Sequence, residues 1–226
     1  MESNRHYICV GRVVSSSVSS PAFRRAFRSA VGETRRVPIR LSRPTEADLR
    51  LLAKAGESDP LTYEPIGISG LSEAAAGYRL DRWSRTLGTS NSVFHNATQA
   101  LRTWQVHRGA GLIVCDDGPP VVDTVVAMAA PLPIGFIEVV CRVVAVVDEP
   151  DRFGFSYGTL RVHPEQGEES FTVVRRTDGT VAFEIAAASR PRHVLARAFP
   201  PVARLLQRSA TTRYLDAMSA AASPDD

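Results

Sequence analysis

Gly154-Phe155-Ser156-Tyr157-Gly158-Thr159-Leu160-Arg161-Val162-His163-Pro164-Glu165-Gln166-Gly167-Glu168-Glu169-Ser170-Phe171 is the stretch that decides the architecture. Phe155, Tyr157 and Thr159 alternate with small or polar residues, the period-2 pattern of a strand with one buried face. His163-Pro164 and Gly167 interrupt the run, and alternation resumes with Glu169, Phe171 and Val173. Two strands with so short a connection pair antiparallel. The same spacing places Phe153, Phe155, Tyr157 and Thr159 on one face, and Glu169 on the side of Phe171 and Val173.

The pattern continues on both sides. Leu112–Cys115, Val121–Ala129, Ile137–Val147, Phe153–Val162, Glu168–Arg175 and Val181–Ser189 each read as strands bounded by turn residues. In the last of these, Val181, Phe183 and Ile185 form an inward row and leave Glu184 outside. Asp178-Gly179 is a hairpin signal. Upstream, Thr45 and Asp48 make a capping box for a helix with Leu49, Leu52 and Ala53 on its apolar stripe, ended by Gly56. Asp59-Pro60 and Pro65 enforce a loop through Leu61-Thr62-Tyr63. Tyr78 to Leu87 reads as a strand with Tyr78, Leu80 and Arg82 on one side. Asn91 or Ser92 caps a helix running to about Val106, with Phe94, Ala97, Leu101 and Trp104 at helical spacing. A short helix at Val194–Phe199 precedes a long one from Pro201 to Ala221, whose face carries Val202, Leu206, Ala210, Tyr214, Ala217 and Ala221, joined by Leu205 and Met218.

These elements predict an α+β fold in which a curved antiparallel β-sheet wraps around a long C-terminal helix. That is the helix-grip plan, START/polyketide-cyclase-like in outline. A sheet curled around a helix encloses a cavity of roughly 300–1,000 Å³ when the side chains do not fill it. A fully packed core is the alternative.

Charge divides the chain. Residues 1–40 carry eight arginines against Glu2 and Glu33, a net +6, while the remainder carries −3. The expectation is a basic, disordered N-terminal extension over 1–40 and a single α+β domain over 41–226. The extension is Arg- and Ser-rich like a transit peptide, but an unstructured or mis-started segment is the preferred reading. A basic tail on a mildly acidic body argues against nucleic-acid binding, which requires basic groups on a folded face. No apolar run reaches the ~20 residues of a membrane helix. Cys9, Cys115 and Cys141 are scattered and odd in number, giving neither a disulfide framework nor a zinc site. Cys115 and Cys141 read as buried small hydrophobes, and a reducing cytoplasm is the expected compartment. No cofactor loop, nucleophile elbow or metal-binding helix motif is present, so no cofactor or metal is expected.

Polar residues on inward faces are the candidates for chemistry. Tyr157, Thr159 and Glu169 would look into the cavity, with His163 at its rim, because a carboxylate beside a tyrosine or histidine in apolar surroundings has a perturbed pKa. His163 and Glu168 bonding turn amides, or pairing with Arg161, is the structural alternative. Trp104 and His107, three apart, share a helix face and form a second candidate cluster. The preference of a helix C-terminus for a cationic His107 and Arg108 would explain them without function.

Trp104 with His107-Arg108-Gly109-Ala110-Gly111, Cys141-Arg142-Val143-Val144, the Gly154–Leu160 run, His163-Pro164-Glu165 with Gly167-Glu168-Glu169-Ser170-Phe171, Ser189-Arg190-Pro191 and the stretch 207–215 together resemble an uncharacterised family. It is catalogued as domain of unknown function nineteen-ninety and is found in actinobacteria and plants. The resemblance covers about residues 45–221. Where the family reads Tyr-Pro-Glu-x-Gly-x-Thr, this chain reads Tyr63-Glu64-Pro65-Ile66-Gly67-Ile68-Ser69. The family implies no activity. The expectation is therefore a protein that binds a small apolar or lipid-like ligand between sheet and C-terminal helix, through Trp104, His107, Tyr157, Thr159, His163 and Glu169. A cyclase- or isomerase-like enzyme with a carboxylate–His/Tyr acid–base pair is the first alternative, and a non-catalytic interaction module the second.

Overall fold

Residues 39–116, 118–191 and 200–223 are described by a computed structural model, with side chains omitted for 191 and 200–208. The expected extension and the short helix at Val194–Phe199 lie outside the described residues, apart from Ile39 and Arg40 in the first and Pro200 just beyond the second.

Ile39–Arg40 forms a two-residue strand, β1, ahead of the first element read from the sequence. Helix α1, Glu46–Gly56, begins at the expected cap: the Asp48 amide donates to Thr45 Oγ1 at 3.1 Å and the Thr45 amide donates back to Asp48 at 2.9 Å. β2, Arg79–Gly88, leads to α2, Asn91–Arg102, capped by Ser90. The helix expected to reach Val106 instead breaks at Trp104, which takes a left-handed φ of 57° before the short α3, Gln105–Gly109. A left-handed tryptophan is sterically costly. Complete burial of its indole offsets that cost, with an indole N–H bond to the Gly118 carbonyl at 3.0 Å.

The remaining strands are β3 (Ile113–Val114), β4 (Val125–Pro131), β5 (Phe136–Glu149), β6 (Arg152–Thr159), β7 (Glu165–Arg175) and β8 (Val181–Pro191), followed by helix α4, Pro200–Ala222. All pair antiparallel in the order β2-β8-β7-β6-β5-β4-β3, with β1 on the start of β5. A bulge between Val143 and Ala145 bends β5, helping the sheet to curve. β4 starts four residues later than expected because Asp123, at φ 72°, turns the chain and docks its amide on the Val143 carbonyl. β7 starts three residues earlier, so Glu165, Gln166 and Gly167 belong to a strand paired with Pro191, Arg190 and Ser189 rather than to a turn.

Helices α2, α3 and α4 pack together on the inner face of the sheet. That face carries Cys141, Val143, Phe153, Phe155, Tyr157, Phe171, Val173, Phe183 and Ile185, all buried. Among the described side chains of α4 the buried ones are Thr211, Tyr214, Leu215, Met218 and Ala222; Ala210, Ala217 and Ala221, expected on the apolar face, are only half-buried, and Val202, Leu205 and Leu206 of that face lie outside the described side chains. The outer face is covered by α1, whose Gly56 abuts Val140 and Leu160, and by the loop after it. This curved antiparallel sheet with a long C-terminal helix across its inner face is the helix-grip fold.

Candidate functional site

Tyr157 on β6 stands directly across from Glu169 on β7, and its hydroxyl donates to the Glu169 carboxyl at 3.0 Å. Tyr214 of α4 approaches from the helix side, its ring 5.1 Å from those of His107 and Phe171. The turn made by Trp104 carries His107 inward to the centre of an aromatic group. Its ring lies 4.8 Å from Phe171, 5.0 Å from Trp104, 5.1 Å from Tyr214, 5.9 Å from Phe155 and 6.0 Å from Tyr157. His107 is fully buried, and among the described residues neither ring nitrogen has a hydrogen-bond partner. A buried imidazole so placed carries an uncompensated desolvation cost of about 1–3 kcal/mol.

Electrostatics follow from this setting. Burial lowers the His107 pKa to about 3, with a smaller push from Arg108, so the ring is neutral. Burial raises Glu169 to about 7; the Tyr157 bond opposes the rise and the nearby charge of Glu165 assists it. Glu165 is itself raised, chiefly by burial, against a hydrogen bond to Ser189. The Tyr157, Tyr214 and Cys141 side chains are pushed upward, burial first and the Glu169 charge second. Along the inner side of β7, Phe171 and Val173 are sealed, whereas Glu169 and Glu165 keep accessible surface. On the inner side of β7 the accessible surface therefore lies at these two carboxyl groups.

The six residues singled out from the sequence separate into two sets. Trp104, His107, Tyr157 and Glu169 come together as described. Thr159 is turned to other partners: its hydroxyl lies 2.6 Å from that of Thr62 and accepts the Gly167 amide at 3.0 Å. His163 holds its own turn, its Nδ1 accepting the Glu165 amide at 3.0 Å. Tyr214, Cys141 and Glu165 join the inner cluster without having been marked. Tyr214 is a polar-tipped ring on an alanine-rich face, and that contrast was the available signal.

Glu168 points the other way and is only 3% exposed. It does not pair with Arg161, whose partner is Asp59, and it bonds no amide of its own turn. Its carboxylate accepts from Tyr63 Oη at 2.7 Å, the Gly67 amide at 2.8 Å, the Ser69 amide at 3.3 Å and Ser69 Oγ at 2.5 Å. The segment Tyr63-Glu64-Pro65-Ile66-Gly67-Ile68-Ser69 is thus a cage around one buried carboxylate, closed by a 3-10 turn at Ile68–Gly70. Gly158 makes room for it: a Cβ there would lie 2.5 Å from the Tyr63 ring. A separate outer pocket of about 490 Å³ lies beside Asp59, Leu61, Thr62, Arg161 and Gln166. Among the described residues, no group of three or more His, Cys, Asp or Glu side chains is placed to hold a metal, and no helix is long and apolar enough to cross a membrane.

Comparison with known proteins places this arrangement. A UPF0548 protein from Deinococcus radiodurans is 41% identical over 73 residues, which is 32% of this chain and 37% of that protein. UPF0548 protein At2g17695 from Arabidopsis thaliana is 26% identical over 141 residues, 58% of this chain and 67% of that protein. A third, from Dictyostelium discoideum, is 41% identical over 63 residues; the chain spans 29% of its length, so two of these three matches take in well under half of the relative. Among solved structures, the hypothetical protein jhp0584 from Helicobacter pylori matches with a TM-score of 0.51 at 11% identity, over 64% of this chain and 88% of that one, a likeness of fold alone. The profile described as Domain of unknown function (DUF1990) matches residues 62–217, from the Glu168 cage to the buried face of α4, and the chain belongs to that family.

Proposed function

We infer that the protein binds a small apolar or lipid-like molecule between the inner sheet face and α4. Tyr157 and Glu169 orient its polar end, and Trp104 and His107 form part of the wall. The observation that carries this reading is a buried imidazole with no hydrogen-bond partner among the described residues, in the same inner cluster as the Tyr157–Glu169 pair, whose carboxyl group keeps accessible surface on an otherwise apolar face. A buried side chain with no hydrogen-bond partner costs stability, and a ligand that satisfies it recovers that cost. Thr159 and His163 contribute by shaping the strand ends around Glu165 and Gly167 rather than by contact. The unpaired, buried Cys115 and Cys141 support a reducing, cytoplasmic setting.

A panel of fatty alcohols, fatty acids, amines, sterols and polyketides, read by thermal shift on the full chain, tests the reading. At least one class raises Tm in a concentration-dependent way, and His107→Leu or Tyr157→Phe weakens that response. A panel with no shift in any class overturns it. An acid–base enzyme is the second reading, favoured by one observation: a carboxyl group with its pKa near 7 bonded to a tyrosine. Chemical change of a bound molecule, abolished in Glu169→Gln, would distinguish catalysis from carriage.

A further inference from the structure

We propose that the polar end of the bound molecule is a cation, an amine or a similar nitrogen-centred head on an apolar body, held between Glu169 and the rings around His107. This rests on the binding reading above and names its ligand class. Three observations carry it. The open end of the inner face is lined on β7 and β2 by Glu169, Glu165 and Asp81, and only Asp81 has a cationic partner, Arg79 at 2.5 Å. Among the described residues neither Glu169 nor Glu165 makes an ion pair, which leaves the surface negative where the ligand's head would sit. Other charges nearby are Arg213 on α4, beside Tyr214, and Arg108 on α3, which donates to the Thr103 and Asp116 carbonyls.

The second observation is the aromatic lining. Trp104, Phe171, Tyr214 and Tyr157 pack around the His107 ring at centroid distances of 4.8–6.0 Å, and a cationic head set beside these π-systems is attracted where an anion is not. The third is His107 itself. Fully buried and neutral, it holds an unused lone pair within this group, an acceptor for an N–H donor. Fatty acids and other anionic heads would meet two carboxylates, while the guanidinium at that end among the described residues, Arg79, is already held by Asp81.

The test measures binding of octylamine, octanol and octanoate to the full chain by calorimetry at about pH 8, where the amine is protonated. Octylamine should bind roughly tenfold or more tighter than octanol, octanoate least, and the amine preference should vanish in Glu169→Gln while octanol binding persists. Equal binding of all three, or a preference for octanoate, overturns the cation and leaves the binding reading standing. An amine preference retained in both Glu169→Gln and Glu165→Gln also overturns it, since these carboxylates are its basis. No binding of any probe removes both the cation and the reading it rests on.

Discussion

Glu169 and His107 share one inner surface, and burial moves their proton affinities in opposite directions. Glu169 binds its proton more tightly in the fold, at about 7 against about 4.5 for a free carboxyl. Its contribution to stability is full below pH 4.5 and is lost as pH rises through 7. His107 is held neutral, at about 3 against 6.5, so its contribution is full above 6.5 and is lost as pH falls. Between these limits each group changes stability by about 1.4 kcal/mol per pH unit, with opposite sign, and the two cancel from roughly pH 4.5 to 6.5. Urea unfolding across this window should show His107→Phe losing stability with rising pH relative to the parent, and Glu169→Gln gaining it. Parallel profiles for parent and both variants would contradict the placement of these groups. Satisfying the site with Phe should also raise baseline stability near neutral pH, because the orphaned imidazole is gone.

At the scale of elements, β7 presents adjacent carboxylates to opposite sides of the sheet. Glu169 serves the inner face, while Glu168 fastens the Tyr63–Ser69 loop to the outer one through four hydrogen bonds. Glu168→Gln keeps the shape but sets an amide against donors, and should cost about 2–4 kcal/mol in urea unfolding. Glu169→Gln near pH 8 should be neutral or stabilising. Equal costs for the two variants would refute the division of labour. The period-2 pattern was enough to place Glu169 inward, and the Thr45 cap was readable from one tetrapeptide, since both signals are local. The Glu168 cage was not readable, because its donors lie about a hundred residues upstream. The break at Trp104 was also hidden: helical spacing ran straight through it, and only the tertiary bond of the indole to Gly118 reverses the local preference.

For the whole molecule, the order of strands and the terminal helix followed from turn signals and alternation, giving the helix-grip outline. The face of α4 followed only in part: Tyr214 and Met218 lie on the expected stripe, but an alanine-rich helix offers nearly equivalent stripes, and the choice of Thr211 and Leu215 is made by the sheet it meets. The DUF1990 match spans both the outer cage and the inner cluster. The central claim is that the inner face takes up a small molecule beside Tyr157, Glu169 and His107. Native mass spectrometry of the full chain purified from its own host tests it most directly. The account predicts a species heavier than the polypeptide by the mass of one small molecule, released on denaturation and diminished in Tyr157→Phe; a bare polypeptide mass under gentle ionisation, unchanged after incubation with the ligand panel, would contradict it.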